Sequence, residues 1–364
     1  MKIVIAPDSF KSCLTASEFC QVAKNAILSV NDQIDVVTVP MADGGEGTTE
    51  AIASSTNSRY VSAKVHDAFM HEITAKYAFL EDEKTAVIEM SSASGIQLVN
   101  QLDPYHATSY GTGELIKDAI SIGAKKIILG LGGSATNDAG SGMLMALGFK
   151  FLKADGESIQ LGAIGLKDLA MIEPIELPVE IEIASDVKNP LLGKTGASYV
   201  FGKQKGAQDS DLSILDTYLA NFVKVSRKEN FATTPGAGAA GGLGFALLAY
   251  CQATIRPGIE LVIDYTHLAD KLLGADYCIT GEGAIDFQTK FGKTPYGVAK
   301  LAKQVAHCKV IALTGKIGDG IEQLTDIDAI FALSPQPQSL EMAMENAKND
   351  LRLTVKNLIK LLEP

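Results

Sequence analysis

The sequence has no tryptophan and few residues of the kinds that form zinc or redox centres. Its five histidines make no HxH or HExxH motif, and its five cysteines make no CxxC pair. Neither a zinc site nor a redox-active pair is therefore indicated. Because five is an odd number, the cysteines cannot all form disulfides, and scattered single thiols are typical of a reducing cytoplasm. We therefore expect a cytoplasmic protein.

Positive charge is also scarce. Lys and Arg number 32 against 43 Asp and Glu, which gives a formal net charge of −11. An acidic chain repels a phosphate backbone, so we expect no nucleic acid partner. No apolar run approaches the roughly 18 residues that a membrane span needs, so we expect no membrane association either. An anionic substrate would have to be held by a few placed cations and by backbone amides.

The chain has 364 residues, of which 46% are hydrophobic, and this length suggests two domains. At both ends of the sequence, short β-branched runs lead into Gly- and Asp-rich turns and then into helical patterns. The predicted strands of this kind are 3–6, 35–39, 277–280, 310–313 and 328–331. Five βα units are enough for one doubly wound parallel sheet of the flavodoxin type.

The middle of the chain has a different pattern. Segments 59–66, 71–79 and 84–90 are strand-like with links too short for crossover helices, which favours antiparallel pairing. Further βα patterns begin at 126–129 and 181–184. The chain is thus predicted to have an α/β fold in two domains, with a mixed α/β domain inserted into the flavodoxin-like one. The predicted bounds are 1–58 with 275–364 for the flavodoxin-like domain and 59–274 for the insertion. A sequential division near residue 180 is the alternative.

Most of the 34 glycines follow predicted strands, where exposed amides and helix N-termini bind anions. The known nucleotide motifs do not account for them. Neither of the two GKT triplets has the glycine spacing of a P-loop. A GxGxxG motif occurs at Gly236, Gly238 and Gly241, but Pro235 precedes it in place of a strand. This motif favours close helix packing over dinucleotide binding.

Carboxylates beside the glycines are more informative. Asp8, Asp43 and Glu282 follow three different strands of the predicted split domain, so one crevice can collect them. Clustered carboxylates repel one another and need a cation, and oxygen ligands with few histidines indicate Mg²⁺ held jointly with phosphates. Lys11 and Lys293 are the candidate cations for the phosphates. Asp8 taken alone could equally be a helix N-cap, and the same holds for Asp138.

Seven segments follow one another along the chain: IAPDSFKSCLTA, VPMADGGEGT, TSYGTGELI, GLGGSATNDAGSGML, SDVKNPLLGKTGASYVFGKQKGA, PGAGAAGGLGFAL and TGEGAIDFQTKFGKTPYGVA. In these segments and in their order the sequence resembles the bacterial glycerate kinase family, nearly end to end. The resemblance implies a two-domain α/β enzyme that phosphorylates D-glycerate from ATP with Mg²⁺ in an interdomain cleft, usually to 2-phosphoglycerate. Many members have Arg where Ala284 stands here, so Arg256 becomes the candidate clamp for the substrate carboxylate.

The hypothesis gives each candidate residue a role. Lys11 neutralises the transferred group, Asp186 or Asp138 orients and deprotonates the attacking hydroxyl, and Asp43 with Glu282 holds Mg²⁺. The residues expected to bind substrate or phosphate are Asp8, Ser9, Gly44, Gly45, Gly132, Gly133, Ser134, Asn137, Arg256 and Lys293.

Two other functions remain open at this point, an NAD(P)-dependent oxidoreductase of a small hydroxy acid and a non-catalytic sensor of small acids. The oxidoreductase would use the Gly236 motif. The number and placement of the carboxylates favour the kinase, working as a monomer or homodimer on small molecules.

Overall fold

The computed structural model describes residues 1–362 of the chain. Its strands are β1 Lys2–Ile5, β2 Asp35–Thr38, β3 Ser58–His66, β4 Glu72–Leu80, β5 Thr85–Glu89, β6 Lys126–Gly130, β7 Lys150–Leu152, β8 Met171–Glu173, β9 Glu180–Ala184, β10 Thr254–Arg256, β11 Tyr277–Ile285, β12 Lys309–Ile317 and β13 Ala329–Ala332. Its α-helices are α1 Ala16–Leu28, α2 Thr48–Ser55, α3 Ser91–Ser94, α4 Tyr110–Ser121, α5 Ser141–Leu147, α6 Ala197–Phe201, α7 Asp209–Ser226, α8 Glu229–Ala232, α9 Ala239–Tyr250, α10 Gly258–Thr266, α11 Leu268–Leu272, α12 Thr294–Val305 and α13 Leu340–Leu362. Among these described residues, no helix combines the length and the apolar character that crossing a bilayer requires.

The chain forms two compact units. The first unit comprises Met1–Asp43, Glu50–Thr56 and the residues from Pro257 onward. The second unit comprises Gly44–Thr49 and Asn57–Arg256. Each unit has its own sheet and its own hydrophobic core.

The first unit resumes at residue 257, earlier than the boundary at 275 that the sequence pattern suggested. The difference comes from α10 and α11, which pack with α12. A Cβ atom placed on Gly297 of α12 would lie 2.5 Å from the side chain of Ile259 on α10, so this packing is close. The two short helices therefore belong with the strands that follow them.

The sheet of the first unit has the strand order β13-β12-β11-β1-β2, and every neighbouring pair is parallel. Numbered within the unit, this is the order 5-4-3-1-2, which is the flavodoxin order read from the other edge. The predicted flavodoxin-like sheet is confirmed. The chain runs from β1 to β2 on one side, while β11 lies on the other side of β1, so the topological switch point is between β1 and β11.

One face of this sheet is covered by α1 and α13, which contact each other. Helix α1 begins with a capping box, in which the Thr15 hydroxyl accepts from the Glu18 amide and the Glu18 carboxylate accepts from the Thr15 amide. Its buried face, with Phe19 and Ile27, packs in the same cluster as Leu351 and Val355 of α13. The apolar stripe of the last helix is thus part of the core.

The second unit is built on a mixed sheet with the order β10-β9-β6-β5-β4-β3. Strands β3, β4 and β5 pair antiparallel, as predicted, whereas β5, β6, β9 and β10 are parallel. The sequence did not predict the short hairpin of β7 and β8, or the three-residue strand β10. In this unit too, the loops that follow the parallel strands leave from one edge of the sheet.

Candidate active site

A cavity of about 570 Å³ lies at the carboxyl edge of the five-stranded sheet in the first unit. It adjoins the switch point, because the loop after β1 and the end of β11 both line it. Open α/β sheets bind their ligands at this position. Among the lining residues are six that the sequence analysis singled out, namely Asp8, Ser9, Lys11, Asp43, Glu282 and Lys293. The structure therefore brings together the predicted carboxylates and lysines of this unit.

Asp8 is the most strongly perturbed of these groups. Its side chain is 8% exposed, and burial raises its pKa to about 7, with the nearby charge of Asp43 acting in the same direction. Thr294 Oγ1 donates to Asp8 Oδ2 at 2.5 Å, and the Ser9 amide donates to Oδ1 at 2.6 Å. These hydrogen bonds stabilise the ionised form but offset only part of the burial cost. A cation in the cavity would favour the ionised form further.

Glu282 is also largely out of water. Burial raises its pKa, and Lys293 lowers it in turn as the nearest cation. Glu282 Oε1 accepts from Thr289 Oγ1 at 3.0 Å and from Lys293 Nζ at 3.4 Å. Lys293 precedes α12 at its N-cap, and Lys11 is exposed at the edge of the cavity. The cavity thus holds a partly neutralised group of carboxylates.

Asp286 also follows a strand, and its role as the cap of a short turn accounts for its position. Its carboxylate caps the short 3₁₀ turn Phe287–Lys290 by accepting from the Gln288 amide at 2.8 Å. Asp286 does not line the cavity. An acidic residue after a strand is therefore not by itself a site residue.

In the second unit, the predicted glycines of two loops lie against each other. A Cβ atom on Gly130 would lie 2.9 Å from Gly44 O, and one on Gly132 would lie 3.0 Å from Gly45 Cα. Gly44 and Gly133 have φ angles of +92° and +72°, which side chains with a Cβ rarely adopt. Close backbone approach and left-handed backbone both require glycine here. Loops of this kind expose amides that can bind an anion.

Lys205 is the residue that the sequence analysis missed. Its side chain is 1% exposed, and Nζ donates to Ser134 Oγ at 2.8 Å and to Thr136 O at 2.7 Å. Burial lowers its pKa to about 7, while the charge of Asp138 acts in the opposite direction. The lysine fixes the loop that carries the predicted Ser134. It stood in a quoted segment, FGKQKGA, but no spacing in the sequence distinguishes it from a surface lysine.

The same loop has buried polar atoms that make no hydrogen bond within the part of the chain that the structure describes. Asn137 Nδ2 donates to Ser198 Oγ at 3.0 Å, but Asn137 Oδ1 has no hydrogen-bond partner among residues 1–362. Thr136 Oγ1 is in the same situation. Buried polar groups are nearly always paired, with protein, water or ligand. These atoms therefore support a binding role for the loop.

Asp138 and Asp186, the two candidates for the general base, have different surroundings. Asp138 is fully buried and accepts from the Ser109 amide and hydroxyl, and also from the Gly140 amide. These bonds join the loop before α4 to the start of α5, so Asp138 is placed as a structural acceptor. Asp186 is exposed just beyond the carboxyl end of β9. Of the two, Asp186 is the one that solvent and ligand can reach.

Arg256 lies at the end of the edge strand β10 and pairs with Glu182, at 3.4 Å between Nη1 and Oε1. Glu182 is 6% exposed and also contacts Lys126 Nζ at 2.9 Å. The guanidinium therefore balances a buried carboxylate. Arg256 keeps about a third of its side chain exposed to solvent.

The glycines at 236–244 have a packing role, as predicted. The element that precedes them is the short helix α8, not a strand, so the context of a dinucleotide motif is absent from this stretch. A Cβ atom on Gly241 would lie 1.9 Å from Thr136 O, and one on Gly238 would lie 2.3 Å from Pro190 O. These contacts leave the oxidoreductase alternative without its motif.

Buried carboxylates with lysines beside them, at the carboxyl edge of a parallel sheet, are features of an α/β enzyme. The comparisons with known proteins agree. A model of the glycerate kinase family matches residues 3–363. A glycerate kinase of Bacillus cereus is 41% identical over 98% of this chain and 97% of its own length. A glycerate 2-kinase of Escherichia coli is 40% identical over the same shares.

A crystal structure assigned to glycerate kinase 2 of Salmonella typhimurium LT2 has a TM-score of 0.88 to this chain. It is 42% identical, and the match covers 100% of this chain and 98% of that one. The chain belongs to the glycerate kinase family. It is an enzyme of the kinase class, as the placement of the carboxylates predicted.

Lys205 should make the stability of the protein depend on pH. Between pH 7 and 10.5 the unfolded chain holds a proton that the folded protein has lost, so the free energy of unfolding rises with pH. We expect the difference in free energy of unfolding between the wild type and Lys205→Met to change in favour of the wild type by about 2–3 kcal/mol between pH 7 and pH 9.5. Urea unfolding at both pH values measures it. Lys203→Met, at an exposed lysine two residues away, is the control and should give no such trend. If the difference in free energy of unfolding between the wild type and Lys205→Met is the same at both pH values, the buried amine keeps its ordinary pKa.

Proposed function

We propose that the enzyme transfers the γ-phosphoryl group of ATP to D-glycerate, forming 2-phosphoglycerate, with Mg²⁺ bound to the phosphates. The observation that carries the proposal is the cavity of the first unit, which is lined by Asp8, Asp43 and Glu282 together with Lys11 and Lys293 and adjoins the switch point of the sheet. The names of the relatives support glycerate as the acceptor, and that of the Escherichia coli relative supports the 2-hydroxyl as the position.

Asp43 and Glu282 are the residues that would hold Mg²⁺. Among the described residues, no group of three or more His, Cys, Asp or Glu side chains could hold a metal ion by itself. This fits Mg²⁺, which proteins commonly bind through one or two carboxylates, with phosphate and water oxygens completing the shell. The raised pKa of Asp8 and of Glu282 reflects buried negative charge that a cation would balance. When bound, the ion would neutralise charge on the phosphate oxygens.

Lys11 is proposed to neutralise the transferred phosphoryl group. Lys293 already contacts Glu282, whereas Lys11 is exposed at the edge of the cavity on a flexible four-carbon stem. An ammonium group of this kind acts as a mobile point charge. Asp8 holds the Ser9 amide through its Oδ1 and the first turn of α12 through its Oδ2, so Asp8 and Ser9 are proposed to shape the phosphate side of the cavity.

The loops of the second unit are proposed to bind the acceptor or its phosphate. Their candidate donors are the amides of Gly44, Gly45, Gly132 and Gly133, with the polar side chains of Ser134 and Asn137. Lys205 holds Ser134 in place. Arg256 remains the proposed clamp for the substrate carboxylate, although it shares its charge with Glu182.

Asp186 is the proposed general base for the attacking hydroxyl. It is exposed, whereas Asp138 is fully buried. Phosphoryl transfer passes through a loose, anionic transition state, so positioning and charge neutralisation contribute most. General-base assistance is typically worth about 10²–10⁴-fold in rate.

The direct test of the reaction is a coupled assay for ADP. We expect ADP release only when D-glycerate, ATP and Mg²⁺ are all present, and no release when any one of them is omitted. Phosphorus NMR of the product identifies the hydroxyl, and we expect the 2-phosphate. NADH oxidation without ADP release would identify an oxidoreductase, and thermal stabilisation by glycerate without turnover would identify a sensor. Either result would overturn the proposal.

Replacing Lys11 by Met should lower kcat by about 10²–10³-fold, because one charged contact to the transition state is lost. The KM for D-glycerate should change by less than about threefold, since the lysine acts on the phosphoryl group. Steady-state kinetics measures both values. Lys300→Met, at an exposed position on α12, is the matched control and should retain wild-type kcat. Equal kcat for Lys11→Met and the wild type would refute the assignment.

A further inference from the structure

Besides its carboxylates and lysines, the cavity of the first unit is lined by a group of apolar side chains, called here its apolar side. They are Phe10, Leu333, Leu340, Met344 and Ala347, which come from the loop after β1, the end of β13 and one face of α13. Phe10, Leu333 and Ala347 are between 5% and 7% exposed. One continuous cavity thus joins an apolar wall to a charged end.

The volume of this cavity exceeds what its charged end needs. At about 570 Å³ it lies within the range of sites for whole small ligands, which is roughly 300–1,000 Å³. Phosphate groups and a cation are strongly hydrated and gain nothing from an apolar wall. The apolar side therefore fits a flat, weakly polar group attached to the phosphates.

Asp350 gives the apolar side one polar feature. It is 6% exposed, lies on α13 and lines the cavity. Gln338 Nε2 donates to Asp350 Oδ2 at 3.1 Å and to Ser334 Oγ at 3.2 Å. An ionised carboxylate only accepts hydrogen bonds, and in an apolar wall it favours a ligand that donates one.

We propose that the apolar side of this cavity holds the base of the nucleoside triphosphate, with Asp350 accepting a hydrogen bond from the exocyclic amino group of adenine. The inference rests on the proposed function and assigns the donor nucleotide to the first unit. Phe10 and Met344 provide the apolar contacts for the ring, and Lys11 and Lys293 lie on the phosphate side. Hypoxanthine has a carbonyl in place of that amino group, so it faces the carboxylate with an acceptor.

Cys13 reports on occupation of this cavity. It lines the cavity and is half-buried, with its Sγ donating to Met344 O at 3.4 Å. The other cysteines, Cys20, Cys251, Cys278 and Cys308, are buried. Alkylation of the native enzyme by N-ethylmaleimide should therefore occur first at Cys13, and peptide mass spectrometry measures its rate.

We expect saturating adenosine or ADP to slow the alkylation of Cys13 at least tenfold, whereas inosine should need about tenfold higher concentration for the same protection. Tripolyphosphate, which lacks a base, should protect less than ADP. If tripolyphosphate protects as well as ADP while adenosine gives no protection, the base lies elsewhere and the inference is wrong.

Variants of α13 provide the second measurement, the Kd for ADP and IDP by titration calorimetry. Asp350→Asn should reduce the ratio of the Kd for IDP to the Kd for ADP to within about threefold. Met344→Glu should raise the Kd for ADP at least tenfold. Met342→Glu, at a position on the same helix that is 49% exposed, is the control and should bind ADP like the wild type. Thermal melting and binding of tripolyphosphate show whether each variant is folded.

The two proposals fail in different ways. An enzyme that releases ADP with D-glycerate, but whose Cys13 is unprotected by adenosine and whose ADP affinity is unchanged in Met344→Glu, would keep the proposed function and lose the base site. An enzyme that neither binds ADP nor uses ATP would lose both.

Discussion

Buried negative charge at the carboxyl edge of one parallel sheet is the constraint on which the site depends. Asp8 and Glu282 are largely removed from water, and their ionised forms are disfavoured by that burial. Thr294, Ser9 and Lys293 supply some compensation. The part of this burial cost that these groups leave uncompensated is what the proposed cation and its phosphates would balance.

In the second unit, the loops of the candidate site are held by close backbone packing and by one buried amine, that of Lys205. Glycines allow the loops at 44–45 and 130–133 to approach at distances that side chains would forbid. Lys205 then fixes the next part of the loop by donating to Ser134 and Thr136. A lysine that is fully buried without a carboxylate in hydrogen-bond contact is costly, which indicates that the geometry of this loop matters to the protein.

The sequence predicted the sheet of the first unit because its strands contain short apolar, β-branched runs. An α-helix follows every strand except β12, which is joined to β13 through the 3₁₀ turn Ile321–Gln323. Parallel strands end at a shared edge, so the positions of Asp8, Asp43 and Glu282 after the predicted strands were enough to predict their common cavity, although β11 extends past Glu282 to Ile285. The family resemblance added the reaction. Neither depended on knowing how the loops fold.

What the sequence could not predict depends on tertiary packing. Strands β7, β8 and β10 have three residues each. Strands this short show no hydrophobic periodicity that a sequence analysis can use. The burial of Lys205 and the pairing of Arg256 with Glu182 arise from residues 69 or more positions apart. The hydrogen bonds from Ser109 to Asp138 also join residues that are 29 positions apart, so the sequence could not predict them.

The most direct test of the central claim is to measure binding of Mn²⁺, in place of Mg²⁺, by electron paramagnetic resonance in the presence of ADP. The wild type and an Asp43→Asn, Glu282→Gln double variant would be compared after thermal melting has shown that both are folded. The account predicts a bound Mn²⁺ in the wild type and at least tenfold weaker binding in the variant. Equal Mn²⁺ affinity in the two proteins would show that these carboxylates do not hold the cation.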